Sequence, residues 1–525
     1  MDTKALRQKI LDLAIRGKRV PQDPNDEPAS VLLERIRAEK QQMVKDGKLK
    51  AKEIKNDTVI FLGDDNLHYE KFPDGTVNCI EDEIPFELPE GWEWTRLQAI
   101  CEPITDGTHK TPTYSDEGFI FLSSKNVTSG HIDWDNIMYI PESLHNELYA
   151  RLAPQKNDIL LAKNGTTGVA AIVDRDCIFD IYVSLALLRI IGYIISPEYL
   201  LSTIASSTIQ NYFNSSLKGI GVPNLHLEHI RTTLIPVAPI NEQYRIATKL
   251  EQLLSFADNI ESDKTDLQTT IQLAKSKILD LAIRGKLVPQ NPDDEPASVL
   301  LERIRAEKEE LIKQGKIKRD KKESVIFRGE DNSYYLRMGN LIETLDDWRI
   351  NDIPYSWGIC CLGEVCDYGN CTNVDTKDIP KTAWILDLED IEKDTGKVSQ
   401  KLTLKERNSA STKHSFHKGQ VLYSKLRPYL NKVVLVDDDG YCTSEILPLD
   451  FNKYILPEYA KYYLMSPTFL RYANHCSYGV KMPRLGTLDG RKAVLIVPPV
   501  NEQKRIADKV SQLFSLLDSI ADNVN

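Results

Sequence analysis

Basic and amide side chains are the chemistry-bearing residues that stand out in this 525-residue sequence. Between Lys401 and Lys432, eight Lys or Arg residues stand against the single Glu406, with Tyr423 and Tyr429 among them. Lys and Arg neutralise phosphates, and Arg can bind guanine through two hydrogen bonds. The segment therefore predicts a contact with nucleic acid, although a solvated basic surface would give the same pattern.

Candidate contact residues fall in two separate parts of the chain, and all of them carry basic, amide, hydroxyl or phenol groups. The first part contributes His109, Lys110, Lys125, Asn126, Lys163, Asn164, Thr166, Lys218 and Asn224. The second part contributes Lys413, Lys425, Arg427, Tyr429, Lys432, Lys481 and Arg484. The first set is scattered along the sequence, so an ordinary surface position is an equally good interpretation of any one of its members.

Motifs for catalysis, cofactors or metals are missing from the sequence. It has no Gly-x-x-x-x-Gly-Lys-Ser/Thr phosphate loop, no Asn/Asp-Pro-Pro-Tyr/Phe segment and no Gly-x-Gly-x-x-Gly segment. Zinc sites usually use paired Cys-x2–4-Cys segments, and the other half of the chain keeps just Cys101 near the position of the thiol cluster Cys360, Cys361, Cys366 and Cys371. We therefore expect no catalytic residue, no metal and no cofactor in this chain, and we expect these thiols to be buried or free.

A long internal repeat organises the elements that must position the candidate residues. The segment Lys9–Lys40 returns at Lys277–Lys308 with three differences, and Pro239-Ile-Asn-Glu-Gln returns as Pro499-Val-Asn-Glu-Gln. Chance similarity of amphipathic helices does not account for a near-identical block of this length. The chain is therefore predicted to consist of two equivalent halves.

A stripe of apolar residues with 4–3 spacing predicts a long helix from Asn241 to Arg284, about 65 Å in length, that ends at Gly285. Its second copy is divided between the two ends of the chain, so we expect residues 3–16 to stack after residues 500–523 beside the intact helix. A coiled coil formed with another chain is the alternative. The predicted packing residues are Leu6, Ile10, Leu13, Ile246, Leu250, Leu253, Ile260, Leu267, Ile271, Ile278, Leu281, Ile506, Val510, Leu513, Leu517 and Ile520.

Two variable domains lie between these near-constant segments and match only at scattered framework positions. Each contains two apolar runs with strand character: 158–162 and 169–173 in the first, 420–423 and 433–436 in the second. The polar loops between the runs differ, and a second segment, near Pro223 and near Pro483, differs likewise. Constant supports with unlike loops predict two domains that recognise different targets from equivalent positions.

The predicted fold class is α+β, with two globular target-recognition domains separated by long antiparallel coiled-coil helices in a pseudo-two-fold circular arrangement. The predicted parts have five ranges. They are an N-terminal helical region with a charged helix and hairpin (1–87), the first variable domain (88–234), a central region with the long helix (235–345), the second variable domain (346–495) and a C-terminal helix (496–525).

With this order of parts, the chain resembles the specificity (S) subunit of type I DNA restriction–modification systems. The segments Asp158–Gly168, Pro239–Ala247, Leu279–Gln290 and Pro499–Ala507 are similar to that family's. The resemblance implies a non-catalytic subunit that binds an asymmetric, two-part site on double-stranded DNA. It also implies two modification (M) subunits that use S-adenosylmethionine and two restriction (R) subunits that use ATP and Mg²⁺. A protein-binding coiled-coil scaffold and a self-sufficient methyltransferase or nuclease are the rival hypotheses.

Composition limits the classes of function further. The net charge of −11 excludes a uniformly basic coat, so a DNA site must be a local patch on an acidic body. No apolar run is long enough to suggest a membrane span, and nine cysteines in so long a chain indicate reduced thiols. We therefore expect a cytoplasmic protein.

Overall fold

The computed structural model describes residues 2–128, 130–192, 194–217, 223–317, 324–331, 333–345, 353–407, 409–451 and 453–524. The chain divides into two compact units, residues 1–263 and 264–525. The boundary lies inside one continuous helix, Ile240–Ile283, which confirms the predicted long helix and its end before Gly285. Each unit contains one variable domain, and the mixture of helices and strands confirms the α+β class. The finer division into five parts stays a prediction.

In the first unit, groups of helices and groups of strands follow one another along the chain. The helices are Thr3–Ile15, Ala29–Lys45, Leu97–Ile100, Glu142–Arg151, Pro197–Ala205, Ser207–Ser215, Leu227–Arg231 and the start of the long helix. The strands are Val59–Leu62, His68–Lys71, Val77–Cys79, Glu93–Arg96, Thr105–Asp106, Phe119–Leu122, Met138–Ile140, Ile159–Ala162, Ala170–Ile172, Phe179–Ile181, Leu185–Leu188 and Leu234–Val237.

The second unit repeats much of this order after the end of the long helix. Its helices are Ala297–Lys313, Leu362–Val365, Leu404–Arg407, Pro457–Leu464, Pro467–His475, Thr487–Lys492 and Val500–Val524. Its strands are Ser324–Arg328, Tyr334–Met338, Leu341–Thr344, Gly358–Cys361, Asn373–Val374, Trp384–Leu386, Leu402–Thr403, Lys413–Phe416, Val421–Ser424, Val433–Leu435, Gly440–Thr443, Ile446–Leu449, Ser477–Tyr478, Arg484–Leu485 and Val494–Val497.

The central strand of each variable domain is buried on both faces, which explains its uninterrupted apolar sequence. In the first unit, Ile159 and Leu161 pack into a core with the following helices, while Leu160 and Ala162 pack into a second core on the opposite face. This strand pairs antiparallel with Ala170–Ile172 and Leu185–Leu188. Both apolar runs predicted as strands in this domain are therefore confirmed.

The second unit builds its central strand in the same way. Val421–Ser424 pairs antiparallel with Val433–Leu435 and Ile446–Leu449. Val421 and Tyr423 face one core and Leu422 faces another. The alternation of side chains along a strand sends successive residues to opposite cores, so each loop at its end is held by two packed layers.

A helix from a chain terminus packs on the long helix in each unit. In the first unit, Leu6 and Ile10 share a core cluster with Ile246, Leu250 and Leu253. In the second unit, the clusters group residues of the C-terminal helix Val500–Val524 with the last turns of the long helix, including Ile278, Ile506 and Val510. The two pairings are equivalent in sequence, because residues 3–15 repeat the end of the long helix and residues 500–524 repeat its start. The predicted stacking of the chain ends would join the two units and stays a prediction.

The predicted 4–3 stripe is only partly correct. Of its members, Ile10, Ile246, Leu250, Ile271, Ile506 and Val510 are buried, and Ile520 is exposed by 46%, so its assignment as a packing residue is wrong. The remaining members are half-buried: Leu6, Leu13, Leu253, Ile260, Leu267, Ile278, Leu281, Leu513 and Leu517.

The physical reason is the pitch of a straight helix. A helix with 3.6 residues per turn drifts about 20° per heptad against a strict 3.5-residue repeat. The positions that face the core therefore shift by one residue relative to the predicted heptad positions. Phe514 is buried where Leu513 was predicted, and Leu279 and Ala282 are buried beside the half-buried Ile278 and Leu281.

A buried carboxylate fastens the start of the long helix to the first variable domain. Glu242 accepts a hydrogen bond from Trp92 Nε1 at 3.0 Å, and Arg245, one turn later, pairs with Asp26 at 2.6 Å. Burial raises the pKa of Glu242, whereas the hydrogen bond from Arg245 lowers the pKa of Asp26. We call this set of four residues the helix-start clasp.

The second unit contains an equivalent clasp. Glu502 accepts from Trp357 Nε1 at 3.0 Å, and Arg505 pairs with Asp294 at 2.6 Å. All of these residues belong to the repeated segments or to framework positions shared by the two halves. The repeated sequence therefore forms repeated contacts. The block Lys9–Lys40 contacts the start of the long helix, and the block Lys277–Lys308 contacts the start of the C-terminal helix.

A charged helix begins after Pro28 in the first unit and after Pro296 in the second. These helices cover Ala29–Lys45 and Ala297–Lys313. The hairpins that follow each gain a third strand, Val77–Cys79 and Leu341–Thr344, which sequence analysis missed because these short segments lack a clear apolar alternation.

We predict that Gly17→Ala lowers the free energy of unfolding of the first unit by about 2–5 kcal/mol. Gly17 has φ +66°, a left-handed conformation that costs an L-residue about 1–2 kcal/mol, and a Cβ there would overlap Pro89 Cγ. Gly47→Ala is the matched control, because Gly47 has φ +75° and nothing lies within 4 Å of its Cβ position. Chemical denaturation should show a cost of only about 1–2 kcal/mol for the control. Equal costs for the two variants would contradict the packing described here.

Candidate nucleic-acid interface

Two divergent loops of the first variable domain meet at the end of its central strand. The backbone N–H of Leu225 donates to the carbonyl of Lys163 at 2.8 Å, and Asn164 and Asn224 form an isolated bridge. Lys163 also donates its own N–H to Ser184 at 2.9 Å. The segments that differ most between the halves are therefore brought side by side by backbone hydrogen bonds.

The same backbone arrangement occurs in the second unit. The N–H of Leu485 donates to the carbonyl of Lys425 at 3.0 Å, and Leu426 and Arg484 form an isolated bridge. Lys425 donates its N–H to Glu445 at 3.0 Å. The backbone framework is thus shared, while the side chains placed on it differ.

Arg427 follows this junction in a left-handed conformation, with φ +49°. Its N–H donates to the carbonyl of Pro483 at 2.7 Å, and its side chain is exposed. Non-glycine residues in this conformation cost free energy and occur preferentially at ligand-binding positions. The left-handed backbone and its hydrogen bond to Pro483 therefore fix the position from which the exposed Arg427 side chain extends.

A buried carboxylate ties the candidate loops of the first unit together. Asp106 binds Lys163 Nζ at 2.6 Å and His109 Nε2 at 3.1 Å. Its backbone carbonyl accepts from Arg151 at 2.8 Å. The loop that carries His109 and Lys110 is thereby fixed beside the 163–168 loop.

Three predicted contact residues are buried and their assignment is wrong. Lys163 is committed to its ion pair with Asp106, and Lys413 is buried beside Asp387 at 3.4 Å. Asn126 caps a short turn: its side-chain amide donates to the carbonyls of Asp133 and Asn136 at 3.2 and 3.1 Å. A charge or amide that is buried needs an internal partner, so these side chains support the loops and do not reach a ligand.

The other candidates divide into exposed and half-buried groups. The exposed ones are His109, Lys110, Lys125, Thr166, Arg427, Tyr429 and Lys481. The half-buried ones are Asn164, Asn224, Lys425, Lys432 and Arg484. Lys432 donates to the carbonyl of Leu388 at 2.6 Å, and burial lowers the pKa of its ammonium group. Lys218 lies outside the described residues.

The basic run between Lys401 and Lys432 is partly neutralised by carboxylates from elsewhere in the chain. Lys401 pairs with Asp437 and Asp438 at 2.8 and 2.6 Å. Arg407 pairs with Asp390 and, at 2.9 Å, with Glu389. Carboxylates from two other segments thus pair with two of the eight cations, and these partners are not visible in the local charge pattern.

Exposed apolar side chains next to the second junction were missed by the sequence analysis, apart from Tyr429, which it predicted as a contact residue. Tyr478, Val480 and Met482 are exposed by 63%, 101% and 44%, and Tyr429 lies exposed on the other loop. Single exposed apolar residues are ordinary, but a group of four among cations indicates a binding surface. The available signal was Gly479, whose φ of +98° turns the loop outward.

Metal-binding clusters do not occur in the part of the chain that the structure describes. Cys360, Cys361 and Cys366 are buried free thiols, and burial raises the pKa of all three. Cys371 is a partly buried free thiol. The prediction of buried or free thiols is therefore confirmed. Among the described residues, no helix is both long and apolar enough to cross a membrane.

We predict that Lys163→Ala lowers the free energy of unfolding by about 3–5 kcal/mol, because the buried Asp106 carboxylate loses its lysine partner and keeps the weaker contact with the exposed His109. Lys110→Ala, on the exposed end of the neighbouring loop, should change stability by less than about 0.5 kcal/mol. Thermal and denaturant unfolding of the two variants checks this. A stable Lys163→Ala protein would show that Lys163 is a surface residue after all.

Comparison with known proteins places this architecture in a family. A family model described as the type I restriction modification DNA specificity domain matches residues 89–268 and 354–524, more than half of the chain. The EcoAI specificity subunit from Escherichia coli is 31% identical over 431 residues, which cover 70% of this chain and 63% of that protein. The EcoEI specificity subunit, also from Escherichia coli, is 25% identical over 603 residues, covering 98% of this chain and 90% of that protein.

The fold is also found among solved structures. A chain from work described as "Structural basis underlying complex assembly and conformational transition of the type I R-M system" matches with a TM-score of 0.51 and 17% identity, covering 84% of this chain and 94% of that one. The family model matches two separate segments of the chain, residues 89–268 and 354–524. The chain therefore belongs to the type I restriction–modification DNA specificity family and carries two copies of its domain.

Proposed function

We propose that this chain is the non-catalytic DNA-recognition subunit of a type I restriction–modification complex and that each unit binds one half of an asymmetric, two-part site. The observation that carries the proposal is the shared loop junction. In both units a leucine N–H, Leu225 or Leu485, donates to the carbonyl of a lysine, Lys163 or Lys425. The same backbone therefore presents unlike side chains, which is the arrangement that two different half-sites require.

Side-chain chemistry at the two junctions supports unlike targets. The first presents amides and hydroxyls, among them Asn164 and Thr166, with the exposed cations of neighbouring loops. The second presents Arg427, Lys481 and exposed apolar groups. Amides pair with adenine, arginine pairs with guanine, and apolar groups contact the thymine methyl group in the major groove. Unlike contact groups on two equivalent supports favour an asymmetric site over a palindrome.

The helices are proposed to act as a spacer in an antiparallel coiled-coil, pseudo-two-fold arrangement. The support is the length of the helix Ile240–Ile283, whose 44 residues span about 65 Å. A gap between the two half-sites would then be set by helix length, and its bases would not be contacted.

The near-identical repeats are proposed to bind two copies of a modification subunit. Val31 and Val299 occupy the same position of the two charged helices, and both side chains are exposed. Two equal exposed surfaces suit two equal partners. The modification subunits would supply S-adenosylmethionine and methylate adenine, and two restriction subunits would supply ATP- and Mg²⁺-dependent chemistry, which leaves this chain without a cofactor of its own. A cytoplasmic location fits the nine free cysteines.

An exchange of one variable domain tests the proposal. Residues 88–234 are replaced with the corresponding domain of a relative, the complex is assembled with its modification subunits, and methylated adenines are mapped in host DNA. We expect one half of the two-part consensus to change while the other half and the gap length stay the same. Replacement of residues 346–495 is the reciprocal control and should change the other half.

The proposal fails if either exchange alters both halves, or if the unaltered complex yields no two-part consensus. Turnover of DNA by the purified chain alone, with Mg²⁺, ATP and S-adenosylmethionine present, would equally contradict a non-catalytic subunit.

A further inference from the structure

One arginine at the second junction is held by two hydrogen-bonding groups at once, a carboxylate and a backbone carbonyl. Arg484 Nε lies 3.0 and 3.2 Å from the two carboxylate oxygens of Glu445, and Nη2 lies 2.9 Å from Oε1. Arg484 Nη1 donates to the carbonyl of Met482 at 3.2 Å. The guanidinium plane is therefore fixed from two sides.

The bound groups leave two donors of this guanidinium unused within the described residues. A guanidinium group carries five N–H bonds, one on Nε and two on each terminal nitrogen. The Glu445 carboxylate accepts from Nε and from one hydrogen of Nη2, and the Met482 carbonyl accepts from one hydrogen of Nη1. One hydrogen remains on each terminal nitrogen, the number that a bidentate contact with guanine O6 and N7 uses.

The pair lies at the exposed junction and not in a core. The side chains of Arg484 and Glu445 are exposed by 34% and 24%, and the exposed segment Val480–Met482 is separated from Arg484 only by Pro483. The hydrogen bond from Arg484 lowers the pKa of Glu445, so the carboxylate is charged at neutral pH.

Comparison of the two units shows that the framework does not need the pair. Lys163 and Lys425 donate their N–H groups to equivalent carbonyls, those of Ser184 and Glu445. In the corresponding bridges, Asn224 occupies the place of Arg484. The same backbone junction therefore forms in the first unit with a serine and an asparagine, which indicates that the charged pair serves the target of the second unit.

We propose that Arg484 recognises a guanine in the half-site bound by the second unit and that Glu445 is its positioning residue. This inference rests on the proposed function of the chain. Glu445 removes the freedom of the arginine to turn toward a phosphate, so less rotamer entropy is lost when the base is bound. The carboxylate also repels phosphates, which confines the contact to a base edge.

The test uses the chain assembled with its modification subunits and random-sequence duplex DNA, with selected and methylated sites sequenced. In Arg484→Ala, we expect one guanine of the half-site assigned to the second unit by domain exchange to lose its preference by about tenfold or more. The other half-site and the gap should be unchanged. Lys481→Ala is the matched control, because it removes an exposed neighbouring cation and should weaken binding to all sequences equally, with a smaller salt dependence.

Glu445 is tested by its effect on discrimination. Glu445→Ala should reduce the preference for the same guanine while binding to non-specific duplex stays equal or becomes tighter, because a negative charge is lost. Glu445→Gln, which keeps one acceptor oxygen, should give an intermediate preference. In the Arg484→Ala background, Glu445→Ala should have no further effect on that base, because it acts through the arginine.

The outcomes separate this inference from the proposed function. If the wild-type complex selects no two-part sequence, the proposed function fails. If it does, but Arg484→Ala keeps every base preference, only the assignment of Arg484 fails. If Glu445→Ala lowers the melting temperature and weakens all duplexes equally, Glu445 is a structural residue and its positioning role is overturned.

Discussion

The helix-start clasp is the interaction on which the rest of the structure depends. In each unit a buried glutamate, Glu242 or Glu502, accepts a hydrogen bond from the indole of Trp92 or Trp357. A carboxylate in such a place is costly unless it is hydrogen-bonded, so its position tolerates little movement. The orientation in which the long helix leaves the domain is thereby fixed by one buried polar contact, supported by an ion pair one turn later.

The central strand of each variable domain positions the loops of the candidate contact surface. Ile159–Ala162 and Val421–Ser424 are buried on both faces, and the loop that follows each strand starts from a packed position. The backbone bond between the two divergent loops then sets their separation. Side chains at the junction can differ between the units because the hydrogen bonds that join the two loops there, from Leu225 to Lys163 and from Leu485 to Lys425, use backbone atoms. A domain of this kind can change its target without losing its fold.

The two junctions also differ in how their polar groups are held. In the first unit, Asp106 is buried and binds Lys163, so the two charges neutralise each other inside the protein. In the second unit, Glu445 is partly exposed and leaves two donors of Arg484 unused within the described residues. Burial sets the difference between the two ion pairs. The buried pair of Asp106 and Lys163 supports the loops and has no surface left for a ligand, whereas the partly exposed pair of Glu445 and Arg484 can contact one.

Much of the fold could be predicted from the sequence, and much less of the candidate site. The long helix, predicted from Asn241 to Arg284 and found at Ile240–Ile283, and the central strands follow from local patterns of apolar spacing and of glycine and proline, and the structure confirms them. The drift of the helix stripe from Leu513 to Phe514 was not predictable from a strict heptad, because a straight helix does not keep a period of 3.5.

By itself, the sequence determined that two equivalent supports carry unlike loops, since repetition and divergence are visible in the order of residues. Only the tertiary structure decided which charged groups are available for a ligand. Lys163 and Lys413 look like surface cations in the sequence, but they are neutralised by Asp106 and Asp387, which lie far from them along the chain. Electrostatic pairing acts through space, so the partner of a charge is set by the fold and not by its neighbours in sequence.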